Sequence, residues 1–299
     1  MSKVAGAAAI AMYGRGLSTV FNKYYDLAGS HPGFGLMRVV HDSADKVDYP
    51  IPDGLPSPRE WDGDRAEKAH KLGVLSVLSK AYEATLGVPG HHVRLGRGEQ
   101  YGPEVQMMAS RARLHPLKML GDLLNNAFGT TKSYDGVALC ADAHSWGGQT
   151  IDNKQTAALA GDAFADARAA LFSLKDSEGE YIWTGMERLA LVVSPDLEDD
   201  AEQIVVAATG SSGATNVRKG KADVVVLPHL HDNPGYWFLI VKDLPPFVHQ
   251  IQEKIVFESQ TKPDSDNVWN RDKYVYGVRG RYAVGVGPYW SIVGSDGTT

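Results

Sequence analysis

Asp142, His144 and Ser145, in the run CADAHSW, are the residue types of a nucleophilic triad: a hydroxyl to attack, an imidazole to take its proton, a carboxylate to orient the imidazole. Their spacing argues against that use, because a relay needs separate elements to bring the three groups together. The run reads instead as a loop histidine beside a capping aspartate. His229 and His231 in PHLHDN alternate along an extended segment and could face one metal ion, and His91-His92 is a second pair. Neither pair has an H-E-x-x-H pattern or a third ligand at suitable spacing. GSSGATNVRKGK is rich in glycine but lacks the phosphate-loop spacing, and no G-x-G-x-x-G opens a helix after a strand. Glu60, Asp62 and Asp64 are close carboxylates on a proline-rich stretch, a poor place to hold an acid and a base in register. These residues nominate no catalytic, cofactor-binding or metal site, and they point away from an enzyme.

The elements that would have to position such residues are clearer. Residues 103 to 128 carry Val105, Met108, Ala109, Ala112, Met119, Leu120 and Leu123 at three- and four-residue spacing, one apolar stripe on a long helix. Pro103 suits a first turn, Glu104 sits near the positive helix end, and Gly129 marks a stop. Pro116 should kink this helix or split it after His115. Leu17, Val20, Phe21, Tyr24, Tyr25 and Leu27 predict a short amphipathic helix near the start of the chain. A second, alanine-rich helix is expected from about Thr156 to Leu174. After it come a buried strand in LALVV, a capped helix with Asp196, Glu198, Asp199 and Asp200 in its first turn, and strands in ADVVVLPHL and WFLIVKDL. From Phe247 onward the pattern is β, in IQEKIVFESQ and YVYGVRGRYAVGVGPYWSIVG.

Between strand-like segments at 36 to 47 and 72 to 88 lies YPIPDGLPSPREWDGDRAEKAHKLG, dense in proline and charge. Two extended arms with such a tip predict a projecting hairpin that cannot form a core of its own and needs another surface to lie on. Trp61, among Arg59, Glu60, Asp62 and Arg65, has the composition of a contact anchor.

The 299 residues suffice for one large domain or two lobes. A net charge of -6 offers no general attraction to nucleic acid or an anionic membrane, so any DNA contact should be weak. Cys140 is the only cysteine, which excludes intrachain disulfides. No apolar run approaches the ~20 residues that span a bilayer.

Taken in order, the amphipathic N-terminal segment, PREWDGDR, SKAYEATLGVPGHHV, QMMASRARLHPLKMLGDLLNNAF, YDGVALCADAHSW, LALVVSPDLEDDAEQIV and VYGVRGRYAVGVGPYW resemble the phage Mu gpT-like major capsid (major head subunit) proteins. The resemblance implies an α+β chain with the HK-97-type tailed-phage capsid fold. Residues 1–35 would form an N-terminal arm and 36–88 the extended loop hairpin with flanking strands of the peripheral domain. Residues 89–129 would be peripheral domain with its spine helix, 130–245 the axial domain, and 246–299 strands returning to the peripheral domain. The implied function is a non-catalytic shell subunit, needing no cofactor, that self-assembles as hexamers and pentamers into an icosahedral head around double-stranded DNA. Assembly would occur in the bacterial host cytoplasm. The implied partners are a portal, a separately encoded scaffolding protein because the chain opens at the arm, and a decoration protein; DNA contact would be weak and no membrane is involved. Arg59, Glu60, Trp61, Asp62 and Arg65 at the loop tip, with Phe21, Tyr24 and Tyr25 in the arm, are the expected inter-subunit contacts. Some relatives join subunits through Lys–Asn isopeptide bonds; Lys46, Lys68 and Lys71 lie in or beside the loop, but no partner asparagine is identified. Two alternatives remain at this point: an encapsulin-like compartment shell, and a soluble α/β hydrolase using Asp142 and His144.

Overall fold

The computed structural model describes residues 2–53, 71–95, 97–146, 149–176, 178–210, 213–262 and 264–299. Its chain opens with α1 (Ser2–Ala28), a 27-residue helix rather than the short one expected. Alanine-rich sequence has high helix propensity, so helix runs on through the stretch before the amphipathic part. It stops where the Gly29 N–H turns back to the Tyr25 and Asp26 carbonyls.

In chain order there follow β1 (Met37–His41), β2 (Lys46–Asp53), β3 (Lys71–Leu78), β4 (Lys80–Pro89), α2 (Gly90–Arg94) and α3 (Gly102–Asn125). Next are β5 (His144–Trp146), β6 (Gln149–Ile151), β7 (Lys154–Gln155), α4 (Gly161–Phe172), β8 (Leu189–Val193), α5 (Glu198–Val205), β9 (Asp223–Val226) and β10 (Trp237–Val241). The chain finishes with β11 (Phe247–Gln260), α6 (Asp266–Arg271), β12 (Lys273–Val286) and β13 (Ile292–Ser295).

Two sheets carry the architecture. The first has the order β1-β11-β12-β4, with β1 parallel to β11 and the other pairs antiparallel. The second has the order β7-β13-β10-β8-β9, fully buried at β8 and β10. All five residues of each of those strands are apolar, as strands covered on both faces must be. The stretch 246–299 therefore divides: β11 and β12 join the first sheet, while β13 pairs with β10 and β7 in the second. β13 thus lies in a different sheet from β11 and β12.

Helix α3 ties the two sheets together. Val105 and Ala109 pack with α1 and the first sheet, while Leu117, Leu120 and Leu124 belong to the core around the second. Pro116 sits at the changeover, and the helix is not split there. A proline inside a helix costs about 3 kcal/mol through the lost hydrogen bond and the clash of its ring, which the buried Pro116, Leu117 and Leu120 side chains offset by packing.

Two other expectations need correction. Helix α4 begins at Gly161 because Ala157 and Ala158 are engaged elsewhere: the Ala157 carbonyl accepts from Trp237 Nε1, and the Ala158 N–H donates to Thr299. Helix α5 has no side-chain cap. The Ser194 hydroxyl, just upstream, donates to the Pro234 carbonyl.

Candidate assembly surfaces

The arm helix α1 is clamped to its own chain. Leu17 and Phe21 are buried, and Phe21, 2% exposed, lies against Phe257 at 5.0 Å and Tyr25 at 5.5 Å between ring centroids. Tyr13 meets Tyr276 edge-on at 5.8 Å, and the Arg113 guanidinium sits 5.1 Å over the Tyr25 ring. Burial, and then the neighbouring Tyr276, push the Tyr13 hydroxyl far above the usual tyrosine range. Tyr24 is half-buried at the edge of the same cluster. Phe21 and Tyr25 thus come together as the arm's anchor, and the solvent-facing positions of α1 include Met12 and Leu27.

Strands β2 and β3 pair in register from Lys46↔Leu78 to Asp53↔Lys71 and form a sheet of two. A two-stranded hairpin is marginal in water by itself, and this one gains support from the body beneath it. Val47, Tyr49, Ile51 and Val77 face inward, the Tyr49 hydroxyl donates to Gln250 at 3.1 Å, and Val77 fills the space that a side chain on Gly285 would need. The outward face alternates with it: Lys46, Asp48, Pro50, Val74, Ser76 and Leu78. Lys46 and Ser76 both bond Asp48, but Val74 and Leu78 stand 53% and 58% exposed. Two apolar side chains thus stand on the solvent face of an eight-residue strand. The loop-tip residues Arg59, Glu60, Trp61, Asp62 and Arg65 lie outside the described residues, as does Lys68.

Between α3 and the first sheet, the packing is bridged at one point. His115 Nδ1 and the Tyr282 hydroxyl are 3.0 Å apart, and the Tyr82 ring lies tilted against both rings at 4.6 and 4.7 Å between centroids. Cavities of about 430 and 380 Å³ border this bridge. The first is lined by Met107, Met108, Leu86 and Ile255 among others, and the second by Phe34, Val39 and His249. Burial, then Lys118, hold the His115 imidazole below its usual range, and burial raises the Tyr282 hydroxyl.

The candidates for chemistry are dispersed or bound up in structure. His144 is fully buried in β5, not in a loop, and its Nδ1 contacts the Asp135 carboxylate at 2.6 Å rather than Asp142. Ser145 is exposed on the opposite side of the strand. His231 pairs with Asp196 at 2.8 Å, while His229 packs on α3 at Gly121, where an added side chain would collide with it. His92 contacts Tyr101 and Gln100. Among the described residues no three of His, Cys, Asp and Glu are grouped to hold a metal ion. Cys140 is buried, and burial drives its thiol far above the usual range, so it is unreactive where it sits.

An arm on a sheet, a hairpin with Val74 and Leu78 exposed on its outer face, and a long helix joining two sheets make up the described body. The model of the Mu-like prophage major head subunit gpT family matches residues 10–160, and that of a phage capsid protein family matches residues 108–292. The chain belongs to the Mu-like major head subunit family.

Solved structures agree on the fold. The Mu-like chain is similar to the capsid of bacteriophage JBD30 at 14% identity and TM-score 0.51, covering 87% of this chain and 63% of that one. Against the JBD30 procapsid the values are 21% identity, TM-score 0.53, and 94% and 74% coverage. The virus-like particle from Pyrococcus furiosus gives 9% identity and TM-score 0.56, with 94% and 98% coverage. The architecture is thus the HK-97-type capsid fold, and the chain spans about two thirds or less of the JBD30 capsid subunit at 63%. No curated protein sequence matches the chain. Among the described residues no helix is long and apolar enough to cross a membrane.

Sequence reasoning placed the contact candidates at the hairpin tip and arm, and did not single out Val74, Leu78 and Trp269, which are exposed apolar side chains in the structure. The signal for the first two was present in KLGVLSVL, where Leu72, Val74 and Leu78 make one set of alternate positions more apolar than the other, Lys71, Gly73, Leu75 and Val77. For Trp269, exposed on the short α6, no local pattern distinguishes it from a tucked tryptophan.

Proposed function

We propose that this chain is the principal shell subunit of a tailed-phage head, assembling as hexamers and pentamers into an icosahedral container for double-stranded DNA. The observation that carries this reading is the β2–β3 hairpin, a two-stranded sheet with Val74 and Leu78 exposed on its outer face in a chain of the head-subunit family. A neighbouring copy supplies the missing cover, and closed symmetry repeats the contact until no edge is left open. In this reading α1 is the N-terminal arm, β2–β3 the extended loop, α3 the spine, the first sheet the peripheral domain and the second sheet the axial domain.

The role needs no catalytic group. A net charge of -6 suits a wall that must not grip its genome, so contact with packaged DNA is weak and non-specific. Assembly takes place in the host cytoplasm with a scaffolding protein and a portal, and a decoration protein binds the finished shell. Arg59, Glu60, Trp61, Asp62 and Arg65 at the loop tip, with Tyr24 on the arm, are the side chains proposed to touch neighbours. Electron microscopy of protein co-produced with its scaffold tests the reading. Closed shells are expected, and deletion of residues 54–70 should abolish or deform them. A monodisperse monomer at high concentration, with scaffold present, would overturn it.

A further inference from the structure

The smaller of the two cavities beside the His115–Tyr282 bridge, about 380 Å³, lies where α1, α3 and the β1–β11 edge of the first sheet meet. Tyr25 reaches it from α1, Arg113 from α3, His41 from β1, and His249 and Lys254 from β11. Small-molecule sites typically enclose ~300–1,000 Å³, so this space is large enough to hold a ligand.

Arg113 is a half-buried cation without an anion. Its guanidinium lies 5.1 Å over the Tyr25 ring and 4.8 Å over the Phe34 ring. Its only hydrogen bond among the described residues is a long one, to the Tyr25 hydroxyl at 3.5 Å, and its Nε is buried without a partner. The two rings hold the guanidinium in place and leave its charge uncompensated. A charge drawn out of water without a counter-ion is costly, and the arginine fork matches two oxygens of one anion at once.

The other groups on the wall add charge of the same sign. Burial, then Arg113 and His41, lower the imidazole of His249, which is 5% exposed, to about 4. His41 and Lys254 are exposed and stand at the open side, with no ion-pair partner among the described residues. The one acid among the described lining residues, Glu253, is engaged with Arg279 at 3.4 Å. In a chain of net charge -6, cations from α3, β1 and β11 gather here with nothing to balance them. A carboxylate is satisfied by one arginine. A phosphate group carries up to two charges and at least three acceptor oxygens, and suits cations that arrive from three elements.

We propose that this cavity binds a phosphate group, free or at the end of a small phosphomonoester, with the Arg113 fork and Lys254 as its main charge partners. The site belongs to the subunit itself and stands apart from the shell reading above.

Calorimetric titration of the full chain with inorganic phosphate, at constant ionic strength in chloride, tests it. One site with a dissociation constant below about 1 mM is expected, and no binding would overturn the proposal. Arg113→Lys keeps the charge and loses the fork, and should weaken binding by about tenfold or more. Lys254→Met should weaken it about threefold or more and leave the melting temperature without phosphate unchanged, as exposed positions allow. Lys219→Met, at an exposed lysine on the loop before β9, should bind as the wild type does. Wild-type affinity in Lys254→Met would overturn the proposal even if Arg113→Lys fails to fold. Equal weakening in Lys254→Met and Lys219→Met would overturn it too, because general surface charge would then hold the anion. Adenosine monophosphate, titrated in parallel, distinguishes the two sources: tighter binding than inorganic phosphate assigns the rest of the cavity to the body of a phosphomonoester, and weaker binding assigns the site to free phosphate.

Discussion

The Nδ1 of His144 lies 2.6 Å from Asp135 Oδ2 while its ring stacks face to face on Tyr289 at 3.9 Å between centroids. The other ring nitrogen faces the Leu139 carbonyl at 3.3 Å. Burial pushes the Asp135 carboxyl up, but the His144 bond and the backbone N–H groups around it outweigh this and hold it below the usual carboxylate range. The pair fastens β5 to the segment ahead of it, and to β13 through the Tyr289 turn. Asp142 is exposed and outside this network.

His144→Ala leaves the Asp135 carboxylate without its main partner and a gap under Tyr289, a loss of roughly 3 kcal/mol by analogy with other broken buried pairs. Asp142→Ala should change stability by less than about 0.5 kcal/mol, as surface substitutions do. Thermal denaturation of the two variants separates these outcomes, and equal losses would show that His144 acts through Asp142 after all.

His249 sets an acid limit. Burial, followed by the positive charges of Arg113 and His41, lowers its imidazole to about 4. The folded state therefore disfavours the charged form, so protonation of the unfolded chain drains stability as pH falls below about 6.5. The drain ends near pH 4, where both states carry the proton, and reaches roughly 3 kcal/mol at about 1.4 kcal/mol per pH unit. His115 and His229 are shifted in the same direction by burial and add to it. Denaturant unfolding between pH 7 and pH 4 should show the decline, and His249→Gln should flatten it.

Gly121 is where α3 touches the turn that carries His229. A Cβ there would collide with the His229 side chain, while Asn125 one turn on donates to the His229 carbonyl at 2.7 Å. Gly121→Ala gains about 1 kcal/mol of helix propensity. Overpacking costs typically ~1–3 kcal/mol, and the backbone hydrogen bond keeps the turn from moving aside. A net loss of about 1 kcal/mol is expected in chemical denaturation; a stabilised variant would show that the turn gives way.

How much of this could be read from residue order depends on whether the signal is local. The spine helix was legible because its stripe, Val105, Ala109 and Leu120, repeats with the helix period. That the same helix serves two cores was not, since Leu117 and Leu124 gain their partners from strands over sixty residues away. The hairpin arms were legible from the prolines and charges between them. The partner of His144 was not, because Asp135, seven residues before Asp142, reaches it from the turn that holds it, Ser133 to Gly136. The destination of β13 likewise rests on pairing with Trp237 to Ile240, which no period in its own four residues encodes.

Phe21 holds the subunit together, whereas the pair Val74 and Leu78 is proposed to hold subunits to each other. Phe21 is sandwiched between Tyr25 and Phe257, so Phe21→Ala removes a buried ring and should cost ~3 kcal/mol or more of subunit stability. Val74 and Leu78 face solvent on the hairpin, and the double change Val74→Asp plus Leu78→Asp should leave the melting temperature of the isolated subunit nearly unchanged. The same double variant places two carboxylates where a neighbour's apolar surface is proposed to rest, an uncompensated burial of charge in every contact of the shell. Shell yield measured by sedimentation should fall by more than tenfold. Were the double variant to assemble normally, the outer face of the hairpin would be a free surface of the shell, and its apolar residues would need another occupant.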